Sequence, residues 1–516
     1  MVLWLLFFLG EELPAQKPTA QLPDAPQARC QPASADPTQL LIQSYLVGRN
    51  LPAELRLHHL AVLGYASVSV EPALTRLWAQ EAFRLAFTLP MSWNRVAHEK
   101  NALAALAEVD PLLAFSLFDS MDATVPFPTG EIPEDLRAYG ARTVFREYWK
   151  RKGNEGLDAI RAQAAKLGNS GQYPFLAMAP IIRDVSRQDQ LKAHGMFGEA
   201  IGFYGRGWRT AATDEEFSRL LEDVWDVVPA PFQRQALQLI VRNMAEGKEP
   251  RHKLFLSRTQ LEQGGVEFRS RAKKLLYSLL PRIREVDAHW AAQLTEADPD
   301  LRQAVGASGK EVYSEQVTIQ NRAGISDADV EALRSVSFQR QKLARIAAVA
   351  ESDPAQAMEM SKDLSDLAFR SQAMAMVAAA VGSKEPSQAR ALMERVRKDL
   401  DTIREPEDRL AILAALARAA GITGDRGFLG QVLEHAFDLG EELFSQDQEV
   451  HPGKTVEDVA GFARLTDLTT TGIKYCSGSA VDRVSKVSNE LLRAHLLVTA
   501  AETLFAEIRG RPIPQP

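Results

Sequence analysis

The histidines are the first residues to test for chemistry in this chain. His98-Glu99 begins like a zinc-protease helix, but that motif needs a second histidine four residues after the first, and position 102 is alanine. His58 and His59 are adjacent, so on a helix their side chains point about 100° apart and do not readily ligate one ion together. His194, His252, His289, His435, His451 and His495 are scattered, with no cysteine or paired-carboxylate spacing around them. The expectation is therefore no metal and no cofactor, and no residue is nominated as catalytic.

Gly195, Gly198, Gly202, Gly205 and Gly207 surround Phe203, Tyr204 and Trp208. A phosphate loop would end in Gly-Lys-Ser/Thr and a dinucleotide fingerprint would follow a strand; neither occurs here. On a helix, positions 195, 198, 202 and 205 share one face, and close approach of a second helix, or a helix break, is the favoured reading over a ligand site. Ser270 and Lys273 have the Ser-x-x-Lys spacing of some penicillin-recognising enzymes, but the Lys-Thr-Gly element is missing, so Ser270 reads as a helix-surface residue.

The stretch from Arg251 to Glu285 holds nine Lys or Arg against three Glu. Arg269, Arg271, Lys273, Lys274, Arg282 and Arg284 form its candidate basic surface, and Phe255, Phe268 and Tyr277 would supply stacking platforms for nucleic acid. The favoured reading is a solvated helix face over Leu275, Leu276, Leu279 and Leu280, because charge runs usually serve solvation. An acidic protein partner would suit it equally.

The elements that must position these residues are helices. The 516 residues exceed what one hydrophobic core efficiently serves, so the chain should divide into domains or extend as an array. Hydrophobic residues at 46% and charged residues at 25% are those of a folded protein with a sizeable core. Strong helix formers dominate and no convincing strand is present. A net charge of -7 disfavours general binding to nucleic acid or anionic membranes. Cys30 and Cys476 are too few for a disulfide scaffold; one long-range bridge in an oxidising compartment is conceivable, and two unpaired thiols are favoured.

The apolar run Val2 to Leu9, followed by Leu13-Pro14-Ala15, reads as a signal peptide over residues 1–15, without a basic n-region. On that reading the protein is exported, periplasmic or extracellular; otherwise it is cytoplasmic. No later run is long and apolar enough to span a bilayer, so a soluble mature protein is expected. Residues 16–37 read as a Pro/Ala/Gln-rich leader, 38–300 as an N-terminal helical-repeat region, 301–325 as a hinge, 326–508 as a C-terminal helical-repeat region and 509–516 as a tail.

Repetition is clearest in the C-terminal part. Asp353-Pro354-Ala355-Gln356-Ala357 recurs as Glu385-Pro386-Ser387-Gln388-Ala389, 32 residues on. Leu343, Ile346, Ala347 and Ala350 precede the first copy, and Met374, Val377, Ala378 and Val381 precede the second, each set at i, i+3, i+4 and i+7. Asp110-Pro111 and Glu71-Pro72, 39 residues apart, follow the same grammar. Proline pushes the residue before it out of the α region and itself fits the first helical position, so each pair ends one helix and begins the next. At Asp110 and Asp353 the carboxylate can cap the new helix; Glu71 and Glu385 should cap less well.

With Asp366 to Arg370 supplying a polar turn and an arginine ahead of an Ala-rich helix, these units resemble bacterial α-solenoid proteins of the TPR-like and HEAT-like kind. The resemblance implies an all-α fold of tandem antiparallel helical hairpins with an extended surface for binding other molecules. The leading functional expectation is a noncatalytic scaffold for a protein or peptide. The alternatives are nucleic-acid binding through residues 251–285, and an enzyme whose site is assembled from distant helices.

Overall fold

The computed structural model describes residues 35–121, 136–207, 211–246, 254–319 and 339–510, except 341, 453 and 455. The expected signal peptide, most of the leader, Cys30 and most of the tail lie outside the described residues. In chain order the first elements are α1 (Pro37–Gly48), α2 (Ala53–Val70), α3 (Pro72–Ala86), α4 (Trp93–Val109) and α5 (Pro111–Phe118). Next come α6 (Leu136–Lys152), α7 (Leu157–Asn169), α8 (Phe175–Ser186), α9 (Gln190–Arg206), α10 (Ala211–Asp223) and α11 (Ala230–Glu246). A mixed stretch follows: β1 (Leu254–Phe268), α12 (Arg271–Val286), α13 (Ala288–Ala297), α14 (Pro299–Gly306) and β2 (Ser308–Ile319). The remainder is helical: α15 (342–350), α16 (Pro354–Lys362), α17 (Leu367–Val381), α18 (Pro386–Leu400), α19 (Pro406–Thr423), α20 (Arg426–Val450), α21 (Phe462–Ser485) and α22 (Glu490–Arg509). No helix among the described residues is long and apolar enough to cross a membrane.

The chain forms two compact units. One comprises described residues 79–319; the other joins 35–78 to 339–510, so the division falls inside α3. Within the second unit α1 and α2 close against α22.

In the first unit α4, α6, α8, α10 and α12 lie side by side in succession, while α5 packs on α4 and α6, α7 on α6, α9 on α8, and α11 on α10 and α12. The middle helix α8 buries residues all round, including Phe175, Met178, Ile181 and Ile182. Phe217 lies against the Phe175 ring at 5.2 Å and the Tyr204 ring at 4.1 Å, an aromatic centre that locks α8, α9 and α10 together. In the second unit α17 packs on α16, α18 and α19, and α19 on α18, α20 and α21. Its last helix, α22, rests on α21, α1 and α2. The stripes read from the sequence face these cores: Leu343, Ile346, Ala350, Met374, Val377, Ala378 and Val381 are all buried.

The joints carry two recurring devices. Where aspartate precedes proline, its carboxylate accepts N–H bonds at the new helix: Asp110 from Leu113, Asp353 from Gln356, and Asp298 from Asp300 and Leu301. Glu385 and Glu405 make no side-chain cap, since the longer side chain does not turn back onto the first turn. The second device is an arginine in the first turn of a helix that donates to the carbonyl six residues earlier. Arg95 reaches Leu89 at 2.7 Å, Arg370 reaches Leu364 at 3.0 Å and Arg493 reaches Val487 at 3.0 Å. Each ties a helix to the turn that leads into it.

Two expectations are corrected. Strands are present: β1 and β2 pair antiparallel from Leu254 opposite Ile319 to Gln263 opposite Ser308, with irregularities around Leu261. Residues 301–319 of the expected hinge belong to α14, β2 and the residue between them, and 320–325 lie outside the described residues. Val266 and Phe268 on β1 pack with Leu301 and Ala304 of α14. The second correction concerns thiols. Cys476, buried at a break inside α21, is disulfide-bonded.

Candidate functional site

The glycine face of α9 is open. A Cβ built on Gly195 would meet nothing within 4 Å, and those on Gly198, Gly202 and Gly205 would meet only Phe232, Arg206 and Leu239 side-chain atoms at 3.6–3.9 Å. The expected close approach of another helix is thus absent among the described residues. Gly198, Gly202 and Gly205 line a groove of about 970 Å³ between α7, α9 and α11. Ala165, Phe203 and Leu239 give it apolar walls, and Asp158, Arg161, Glu199 and Arg206 line it with both signs of charge. Arg161 is paired with Glu199, and the Arg206 guanidinium sits 5.2 Å from the Phe203 ring centre while donating to the Gly202 carbonyl. The charges are thereby held at the edge and the helix backbone is left bare.

Four of the six candidate basic residues are paired with carboxylates. Arg269 pairs with Glu267 at 3.0 Å, Arg271 with Glu215 at 3.7 Å, and Lys273 with Asp300 at 2.6 Å and Asp298 at 3.1 Å. Arg282 pairs with Glu285 at 3.0 Å and lies over the Trp225 ring. Ser270 is the N-cap of α12, its hydroxyl accepting the Lys273 N–H at 3.3 Å, which corrects the helix-surface reading; the Lys273 ammonium is turned to aspartates. His98-Glu99 is likewise structural in its glutamate, which is fully buried and takes a 3.0 Å bond from Arg95.

The second unit gathers histidines that the sequence leaves apart. His58 and His59 lie on α2, His495 on α22, and Glu457 in a 3-10 turn, Val456–Asp458. Ligand atoms of His58, Glu457 and His495 all fall within 4.8 Å of one another. His58 Nε2 is 3.0 Å from Glu457 Oε1, and the His58 and His495 ring centres are 5.1 Å apart at an interplanar angle of 17°. His495 is 3% exposed, and its Nε2 has no hydrogen-bond partner among the described residues. Burial drives its pKa well below that of an ordinary histidine, reinforced by His59 and His58 nearby.

Neighbouring residues hold this cluster in place. The His59 ring centre also lies 5.1 Å from that of His495, at 56°, while its Nε2 lies 3.1 Å from Ser44 Oγ and 3.2 Å from the Ser44 carbonyl; burial pushes its pKa down to about 4. The start of α22 is anchored by Glu441 of α20, which accepts N–H bonds from Ser488 and Asn489. The turn bearing Glu457 is pinned by Asp447, which accepts from Lys454 at 2.7 Å, from the Ala460 N–H at 2.7 Å and from His451 at 2.8 Å. Gly461 then enters α21 at φ +82, a backbone position that suits glycine.

No protein-family model, curated protein or solved structure matches this chain. The sequence reading set His58 and His59 apart as side chains that do not readily ligate one ion; both ring centres lie 5.1 Å from that of His495. It missed that His58 meets His495, since those residues are joined by no spacing rule and only the return of α22 onto α1 and α2 brings them together.

Proposed function

We propose that the protein is a noncatalytic scaffold, an α-solenoid of helical hairpins, that binds a helical segment of a protein partner along the α7/α9/α11 groove. One observation carries this: Gly198, Gly202 and Gly205, on one face of α9, line a groove where a Cβ on each would meet only a side-chain atom at 3.6–3.9 Å. An exposed helix backbone flanked by apolar walls lets a second helix approach closely, and an edge of mixed charge orients it, which is helix-in-groove recognition. Each glycine inside a helix costs roughly 1 kcal/mol of helix stability relative to alanine. The paired state of Arg269, Arg271, Lys273 and Arg282 weighs against the nucleic-acid alternative. The disulfide at Cys476 favours an oxidising compartment, and so favours export through the Val2 to Leu9 run.

The test is selection of helical peptides from a displayed library on the purified chain, followed by affinity measurement against Gly202→Leu. The added Cβ meets only the flexible Arg206 guanidinium at 3.8 Å, so the fold is retained by circular dichroism while the groove is filled. The expected result is peptides whose affinity falls at least tenfold in the variant. Selected peptides that bind both proteins equally, or a selection that yields none, would sink the reading.

A further inference from the structure

We infer that His58, Glu457 and His495 form a binding site for a divalent transition-metal cation of the zinc class. Two imidazoles and a carboxylate are the donor set that borderline cations prefer. The three donors come from α2, from the turn before α21 and from α22, so the ion would join the first helices of this unit to its last.

The geometry fits such an ion. Two imidazoles bound tetrahedrally at about 2.0–2.1 Å place their ring centres about 5.2 Å apart, and those of His58 and His495 are 5.1 Å apart. His58 Nε2 and Glu457 Oε1, at 3.0 Å, are already at the spacing of two donors on one ion. Glu457, whose side chain is 51% exposed, can shift to close the remaining distance without disturbing the core. A buried polar atom in a native protein normally has a partner, and His495 Nε2 has none among the described residues. A cation would supply that partner. The surroundings hold the donors in place: Ser44 engages Nε2 of His59, whose ring packs 5.1 Å from that of His495, Phe462 meets the His495 ring edge-on at 5.9 Å, and Asp447 secures the turn that carries the carboxylate. Three protein donors leave a fourth position for water or an anionic group on the exposed Glu457 side.

The experiment uses the full chain without a histidine tag, stripped with chelator and dialysed against zinc(II), with metal content measured by mass spectrometry. Cobalt(II) is titrated in parallel to read coordination from its visible spectrum. One zinc per chain is expected, with an intense tetrahedral cobalt band and a melting temperature raised by zinc. Glu457→Gln and His58→Gln, both at the accessible side of the cluster, should weaken zinc binding at least tenfold while leaving the circular dichroism unchanged. No retained zinc, or equal retention by wild type and both variants, would overturn the assignment.

Discussion

Ser44 Oγ donates a 2.7 Å hydrogen bond to the carbonyl of Ala494, 450 positions further along the chain. The bond clasps α1 to α22, and the same hydroxyl lies 3.1 Å from His59 Nε2. Ser44→Ala removes the clasp within a buried contact, and should destabilise the unit containing α1 and α22 by about 1–2 kcal/mol. Chemical denaturation followed by tryptophan fluorescence would measure it; an unchanged midpoint would mean that the bond contributes nothing net.

Glycine substitutions should split by sign. A Cβ on Gly48 would lie 2.2 Å from His59 Cδ2, and one on Gly421 would lie 2.3 Å from Tyr475 Cδ2, each against a packed ring. Gly48→Ala and Gly421→Ala should therefore cost about 1–3 kcal/mol by overpacking. Gly195→Ala, which meets nothing within 4 Å, should instead stabilise α9 by up to about 1 kcal/mol. Thermal melts of the three variants decide this, and a shift in the same direction for all would refute the contrast.

The two forms of the joint should differ in energy. Asp353→Ala loses the 2.9 Å cap to the Gln356 N–H and should cost about 1 kcal/mol, whereas Glu385→Ala, with no side-chain cap to lose, should be close to neutral. Arg370→Ala should cost about 1.5–3 kcal/mol, because the Leu364 carbonyl loses a charge-assisted bond. Equal effects of the aspartate and glutamate variants in urea denaturation would contradict the capping account.

Acid should act through Asp447. Burial alone would raise its pKa, but the bonds from Lys454, the Ala460 N–H and His451 outweigh this and hold it below that of an ordinary aspartate. A depressed folded pKa contributes stability that is present above the unfolded value of about 3.9 and lost as pH falls through the lower folded value. Wild type should thus lose stability on acidification below about pH 4. Asp447→Asn should be weaker by about 3 kcal/mol at neutral pH, since Lys454 is left partly buried without its carboxylate, and its stability should vary less in acid. Parallel pH profiles for the two proteins would exclude this role.

The helical character of the chain is determined locally and was legible as such. The i, i+3, i+4 and i+7 stripes, the Asp-Pro joints and the Arg370 turn follow from side-chain periodicity and backbone sterics over a few residues, and each is found at its expected place. The strand pair β1 and β2 escaped because its two halves are separated by three helices, and Gly264-Gly265 resembles a helix break. The glycine face of α9 was legible as a face; whether another helix covers it depends on how α7 and α11 are spaced, which no local pattern encodes. The basic run was legible as a run, but its counter-charges at Glu215, Asp298 and Asp300 come from other helices. The histidine cluster is the extreme case. Helical periodicity relates residues three and four apart, whereas His58 and His495 meet only because α22 packs against α1 and α2, so their proximity was decided by tertiary packing alone.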